Sequence, residues 1–204
     1  MTRPVVTFWF EFASTYSYLS TMRVEAVAAD RGVDVIWQPF LLGPIFGVQG
    51  WTTSPFNIYP AKGRNMWRDM ERECARLGLP LVQPDPFPQN TLLAARVAVR
   101  AMTTGNGPAF CKAVFEAEFG QGRDVSSPEV LAGALEQAGL SASLLEEAVT
   151  PENKQAVRDI GAEAERLGIF GAPRFVTEDG ELFWGNDRLE QALDWELTKH
   201  EKTF

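Results

Sequence analysis

Between the apolar run VVTFWF at residues 5–10 and a second, VDVIWQPF at 33–40, the chain has room for one helix and little else. The intervening residues carry that helix over 16–31, with Tyr18, Leu19, Met22, Val24, Ala26 and Val27 as its apolar residues and Gly32 as its stop. Strands joined through a helix run parallel and cross over right-handedly, because a tight turn cannot return the chain to the starting end of the sheet. The first forty residues therefore predict a β-α-β unit. The chain closes in β again: APRFVTEDGELFWG reads as two strands around Asp179-Gly180, a two-residue hairpin signal. Asn186 or Asp187 then caps a last helix, DRLEQALDWELTK.

From Gly43 to Pro60 the sequence crowds Gly, Pro, Trp and Phe together (GPIFGVQGWTTSPFNIYP), predicting a long ordered loop of the kind that often carries function. Helical patterns follow at 60–77, ended by Gly78, at 90–103 with Asn90 as N-cap, and at 108–119. Further helices start at Ser127, with Pro128 in the first turn, and at about 142 and 152. A βαβ half and a ββα half together predict an α/β, thioredoxin-like fold from residues 1–40 and 168–204. Residues 41–167 form a helical insertion domain within it. With 204 residues, 45% of them hydrophobic, the chain has enough apolar surface to bury such a core.

A net charge of −8 gives no electrostatic support to nucleic-acid binding. The N-terminal region has no basic segment leading into a long apolar one, so neither a signal peptide nor a membrane span is predicted. Cys74 and Cys111, the only cysteines, lie in helical patterns without a motif and read as packed thiols of a reducing, cytoplasmic compartment. The single histidine, His200, stands in a charged tail, TKHEKTF, and reads as solvated. A Ser-His-Asp triad has nowhere to start, and zinc lacks its usual nitrogen and sulfur donors, so no metal site is expected.

The junction of the first strand and helix, FEFASTYSYLS, places Ser14 and Ser17 at the spacing of a Cys-x-x-Cys redox motif, without the sulfur. One reading makes a serine the helix N-cap and nothing more. The other uses the same place chemically: unsatisfied N–H groups and the positive end of the helix dipole favour an adjacent anion. A serine there cannot become an alkoxide without a base, but it can donate a hydrogen bond to the thiolate of a ligand. Pro173 in GIFGAPRF is either an edge-strand proline or the second residue of a cis Ala172–Pro173 bond that turns backbone groups towards a ligand. Asn186 and Asp187 in FWGNDR combine a carboxylate with helix N–H groups, a set that could recognise the ends of an amino-acid-like molecule. Lys62, near a helix start, is a reasonable partner for an external anion, whereas Arg64 reads as a solvated cation. Trp51, Phe56, Tyr59, Trp67 and Phe87 could wall an aromatic pocket, or could simply be core.

Taken in order, FxFxSxYSY, SPFNIYPAKGR, WRDMERxCARLGLP, FPQNTLLAAR, GIFGAPRF and LFWGNDRLE resemble the 2-hydroxychromene-2-carboxylate isomerases, relatives of the kappa-class glutathione transferases and bacterial disulfide oxidoreductases. The resemblance spans essentially the whole chain. It implies a split thioredoxin domain, usually homodimeric, with glutathione as cofactor and its thiol held by Ser14. It also places Asn57 and Lys62 near glutathione or substrate. Ala172 and Pro173 become a cis turn pairing with the tripeptide backbone, and Asn186 and Asp187 hold its γ-glutamyl end. Thr15 stands where that family often has proline. The implied reaction is glutathione-dependent isomerisation of a small aromatic carboxylate, or, alternatively, glutathione transfer to another electrophile. A third alternative is a non-catalytic binding protein on the same scaffold.

Overall fold

In the computed structural model residues 3–202 are described, the last three by backbone alone, so the reading of the His200 side chain falls outside the described residues. Strand β1 (Val5–Phe10) lies parallel to β2 (Asp34–Pro39), and α1 (Thr15–Arg31) makes the crossover. Strand β3 (Arg174–Thr177) pairs antiparallel with the other side of β1, and β4 (Leu182–Trp184) completes the order β2-β1-β3-β4. Between β2 and β3 run α2 (Leu42–Val48), α3 (Pro55–Ile58), α4 (Pro60–Leu77), α5 (Leu92–Ala101), α6 (Gly107–Phe115), α7 (Pro128–Gln137), α8 (Leu144–Glu147) and α9 (Pro151–Arg166). Helix α10 (Leu189–Lys202) ends the described chain. The architecture is a thioredoxin-like fold with a helical insertion.

The central strand is buried on both faces, which is why VVTFWF lacks a polar alternation. Val6, Phe8 and Phe10 point into the larger core, where Phe8 stacks on its cross-strand partner Phe175 at 5.3 Å and Phe10 meets Phe12 edge-on at 5.5 Å. Tyr18 from α1 and Phe115 and Phe119 continue that aromatic layer, and the Tyr18 hydroxyl donates to the Pro80 carbonyl at 2.9 Å. Each such fully buried ring contributes roughly 1.5–3 kcal/mol of transfer free energy. Trp9 faces the other way, into a smaller cluster with Phe40, Leu42, Ile45, Ala164 and Ile169 from the β2–α2 segment and the end of α9.

The expected loop over residues 43–60 is instead partly helical, as α2 and α3. Proline enrichment is compatible with helix here because Pro44 falls in the first turn of α2 and Pro55 begins α3 behind the cap Ser54, positions where a missing N–H costs nothing. The hairpin loop is also longer than a two-residue turn. Thr177 N donates to the Glu181 carbonyl at 3.2 Å, leaving Glu178–Gly180 as the loop, with Gly180 in the left-handed region at φ 85°. Neither Asn186 nor Asp187 caps the last helical segment with its side chain; the cap position there is Gly185, and Asn186 is engaged elsewhere. Nor is Asn90 the N-cap of α5: that position falls to Thr91, and the Asn90 side chain, one residue earlier, accepts from Leu92 N at 3.1 Å.

One glycine sets how closely α3 approaches α4. A Cβ on Gly63 would sit 2.4 Å from the Phe56 carbonyl oxygen. Gly63→Ala is therefore expected to lower stability by roughly 1–3 kcal/mol, read as a fall in the urea midpoint with an unchanged slope. A loss below about 0.5 kcal/mol would mean that the α3–α4 contact yields freely.

Candidate functional site

Ser14 occupies the N-cap of α1 with extended backbone (φ −89°, ψ 113°). Its Oγ accepts from Ser17 N at 3.2 Å and donates to the Ala172 carbonyl at 3.0 Å, so one hydroxyl ties the β1–α1 turn to the turn that precedes β3. The Ala172–Pro173 bond is cis, as are Asp85–Pro86 and Phe87–Pro88. Pro173 therefore leads into an interior strand rather than an edge, and its carbonyl accepts from Gly185 N at 3.1 Å. Ser17 is fully buried and its hydroxyl has no hydrogen-bond partner among the described residues, which leaves Ser14 as the serine of the pair that reaches the surface of the site.

Ser14 opens on a cavity of about 1540 Å³. Lys62, Ala172, Pro173, Asn186 and Asp187 line it too, so six of the sequence-predicted residues come together. Asn57 does not. It is exposed, and its amide donates to the Phe87 carbonyl at 2.9 Å and to Thr53 Oγ1 at 3.2 Å, clipping α3 to the 87–88 segment behind the wall. Of the proposed aromatic walls, Trp51 and Phe56 line the cavity, whereas Trp67 and Phe87 pack edge-on against each other at 4.9 Å outside it. Tyr59 also lies off the wall, its ring 4.7 Å from the Lys62 Nζ. The remaining aromatic wall comes from Tyr16, Phe46, Phe170 and Trp184, which the sequence reading passed over. Phe170 and Trp184 meet edge-on at 4.9 Å on opposite sides of the cis turn.

Asn186 is buried because its Oδ1 accepts from Ser20 Oγ at 3.0 Å, a bond from α1 to the α10 entrance that holds the amide in place. Asp187 beside it keeps an exposed carboxylate, with only a loose pair to Arg188 at 3.5 Å. Across the mouth, Arg23 pairs with Glu190, and the Tyr16 hydroxyl donates to Asp69 Oδ2 at 3.0 Å. Burial and that acidic acceptor push the Tyr16 phenol up, so it stays protonated as a donor.

Glu11, three residues before Ser14, was not foreseen. The signal was present: an acid placed directly behind a six-residue strand with five apolar residues is seldom buried without a task. It lines the cavity at 5% exposure, and its Oε1 accepts from the Thr91 hydroxyl and from Ala13 N at 3.2 Å. Burial raises its pKa to about 7, against the lowering effect of those two hydrogen bonds. Glu118, wholly buried with neither oxygen partnered, is pushed well up by burial and by the nearby charge of Glu11. Neither cysteine offers a thiolate: burial lifts Cys74 to about 11 and raises Cys111 well above the ordinary thiol value. Among the described residues no group of three or more His, Cys, Asp and Glu side chains could hold a metal ion, and no helix is long and apolar enough to cross a membrane.

A thioredoxin-like sheet, a serine at the first redox position and a proline turn facing it define a class, and the chain belongs to it: the family model for the DSBA-like thioredoxin domain matches residues 5–194. Within that class its similarity is to the 2-hydroxychromene-2-carboxylate isomerases. The chain is 30% identical over 188 residues to the Sphingobium xenophagum protein of that name, covering 91% of this chain and 94% of that one, which makes it a member of that isomerase family. Human glutathione S-transferase kappa 1 is 27% identical over 199 residues, covering 91% of this chain and 87% of the human protein. A solved 2-hydroxychromene-2-carboxylate isomerase superposes with a TM-score of 0.84 at 24% identity, covering 98% of this chain and 99% of that one, a likeness of fold.

Proposed function

We propose that the protein is a glutathione-dependent isomerase acting on 2-hydroxychromene-2-carboxylate or a similar small aromatic carboxylate. The observation that carries this reading is Ser14: a hydroxyl at a helix N-terminus, bonded to the Ala172 carbonyl and facing a cavity walled by aromatic rings. The cavity exceeds the roughly 300–1,000 Å³ usual for one small ligand, so a tripeptide and a second molecule fit together. The relatives' names supply the glutathione and the substrate class.

Glutathione, held with its thiol at Ser14, would supply a nucleophilic thiolate for reversible addition to a conjugated double bond. The chain's own residues set this up. Ser14 has one proton to donate, so a hydrogen bond to the thiolate replaces its bond to Ala172. The released Ala172 carbonyl is then available to the ligand's backbone N–H. The α1 N-terminus adds its dipole, which favours negative charge at that point. Asp187 takes the γ-glutamyl ammonium, Asn186 the adjoining polar atoms, and Lys62 the substrate carboxylate. In this reading Asn57 acts indirectly, by holding α3 where Lys62 and Phe56 can serve the cavity. A reducing, cytoplasmic setting suits the two buried free cysteines, and the reading carries with it the homodimer that the sequence resemblance implies.

Calorimetry should show saturable glutathione binding, and glutathione should raise the unfolding temperature in step with its concentration. The assay that decides the reaction follows loss of 2-hydroxychromene-2-carboxylate absorbance with and without catalytic glutathione. Binding without isomerisation, together with consumption of glutathione on an aryl halide, would instead favour a kappa-like transferase. Absence of binding would sink both.

A further inference from the structure

On the sheet face opposite α1, the side chains of Trp9 and Arg174 stand directly across from each other on antiparallel strands β1 and β3, which sets neighbouring Cβ atoms roughly 5 Å apart. Both are almost wholly buried, at 4% and 3% exposure. Trp9 Nε1 and Arg174 Nε and Nη2 are all buried donors with no hydrogen-bond partner among the described residues. No carboxylate there forms an ion pair with Arg174; its guanidinium lies 4.2 Å from the centre of the Phe170 ring, and burial alone depresses its pKa. A buried lysine or carboxyl group can escape such a position by losing its charge. Arginine cannot, because its pKa starts above about 12. Unpaired buried charge is among the costliest features a fold can carry, and three orphan donors on two cross-strand neighbours compound it. In a chain of net charge −8, the one element missing here is an acceptor.

We propose that Trp9 and Arg174 form a receptor for a monovalent anion, a carboxylate or a halide, set one side-chain layer behind the cavity wall. Leu42, Phe46 and Ala172 belong both to that wall and to the apolar cluster around Trp9, while Phe170 and Trp184 form the nearest part of the wall to Arg174. A guanidinium and an indole N–H present donors only, so cations and neutral amides offering N–H are excluded as occupants. The apolar surroundings exclude extensively hydrated dianions. The anion is either free in solution or the carboxylate of a ligand seated in the cavity.

Thermal unfolding at constant ionic strength separates the cases, with sodium formate exchanged for sodium morpholinoethanesulfonate, a far bulkier anion. Formate should raise the melting temperature of the native protein saturably. Arg174→Met should melt higher than the native protein in the sulfonate, having lost the unpaired charge, and should gain nothing from formate. Trp9→Phe keeps the ring packing and should raise the half-saturating formate concentration at least fivefold; it decides the matter should the Arg174 variant not fold. In a second arm, formate that competes with glutathione, with affinity for glutathione at least tenfold weaker in Arg174→Met, identifies the occupant as a ligand carboxylate. Formate that stabilises without competing identifies a free anion. The proposal falls if formate stabilises native protein and both variants alike, or if it neither stabilises the native protein nor competes with glutathione. If glutathione does not bind at all, the formate arm still stands, and only the functional reading above is lost.

Discussion

Ser14→Ala is expected to lower glutathione-dependent turnover by roughly 10²-fold, the scale seen when one donor to a developing or resident anion is removed. Ser17→Ala should leave it within about threefold, because the Ser17 hydroxyl is buried without a partner and its loss removes an unsatisfied group rather than an interaction. Ser14 is also the helix cap, so Ser14→Ala should cost about 1 kcal/mol of stability in addition. Ser14→Asp separates the roles. Aspartate caps as well as serine but, ionised, has no proton to donate to a thiolate, so stability should return while turnover stays low. Steady-state rates of the three variants beside their urea midpoints make the comparison. Equal turnover losses for Ser14→Ala and Ser17→Ala, or recovery of activity in Ser14→Asp, would remove Ser14 from the chemistry.

Glu11→Gln should stabilise the protein at pH 8 by about 3 kcal/mol and leave it unchanged near pH 4.5, the difference corresponding to a carboxyl pKa displaced from 4.5 to about 7. The sign follows from proton counting. Between those two values the folded protein still holds the Glu11 proton while the unfolded chain has released it. The proton-linked stability is thus complete below the unfolded value, falls through the window, and is gone above the folded one. Glutamine keeps the shape and an oxygen for Thr91 and Ala13 but does not titrate. Glu118 contributes in the same direction, so the single variant should retain part of the slope and Glu11→Gln with Glu118→Gln should lose most of it. Denaturant titrations from pH 4.5 to 8 provide the test, and parallel curves for native and Glu11→Gln proteins would show that Glu11 titrates alike in the folded and unfolded chain.

The β-α-β opening was legible because its signals were local and mutually consistent: an unbroken apolar run, a helical spacing and a glycine stop. Residues 42–58 were not, because proline and glycine mean one thing inside an element and another in its first turn. Burial decided the rest. Asn57 has the chemistry of a ligand contact, yet the folded chain spends its amide on the Phe87 carbonyl. Phe170 and Trp184 lie inside two recognised motifs, but nothing in their spacing indicates that both turn towards the same cavity. The Ser20–Asn186 bond spans 166 residues, and no local pattern encodes so distant a pair.

The cavity draws its walls from two separate lengths of chain. Ser14, Ala172, Pro173, Asn186 and Asp187 come from the β-rich ends, whereas Phe46, Trp51, Phe56 and Lys62 come from the start of the helical middle. The second wall is tethered at few points, such as the Asn57 clip, and stands on short helices rather than on the sheet. Substitutions there can accumulate without disturbing Ser14 and its neighbours. A scaffold divided in this way can diversify what it accepts while conserving how it reacts, and exchanging residues 42–62 between relatives is the direct means of moving one preference onto another protein.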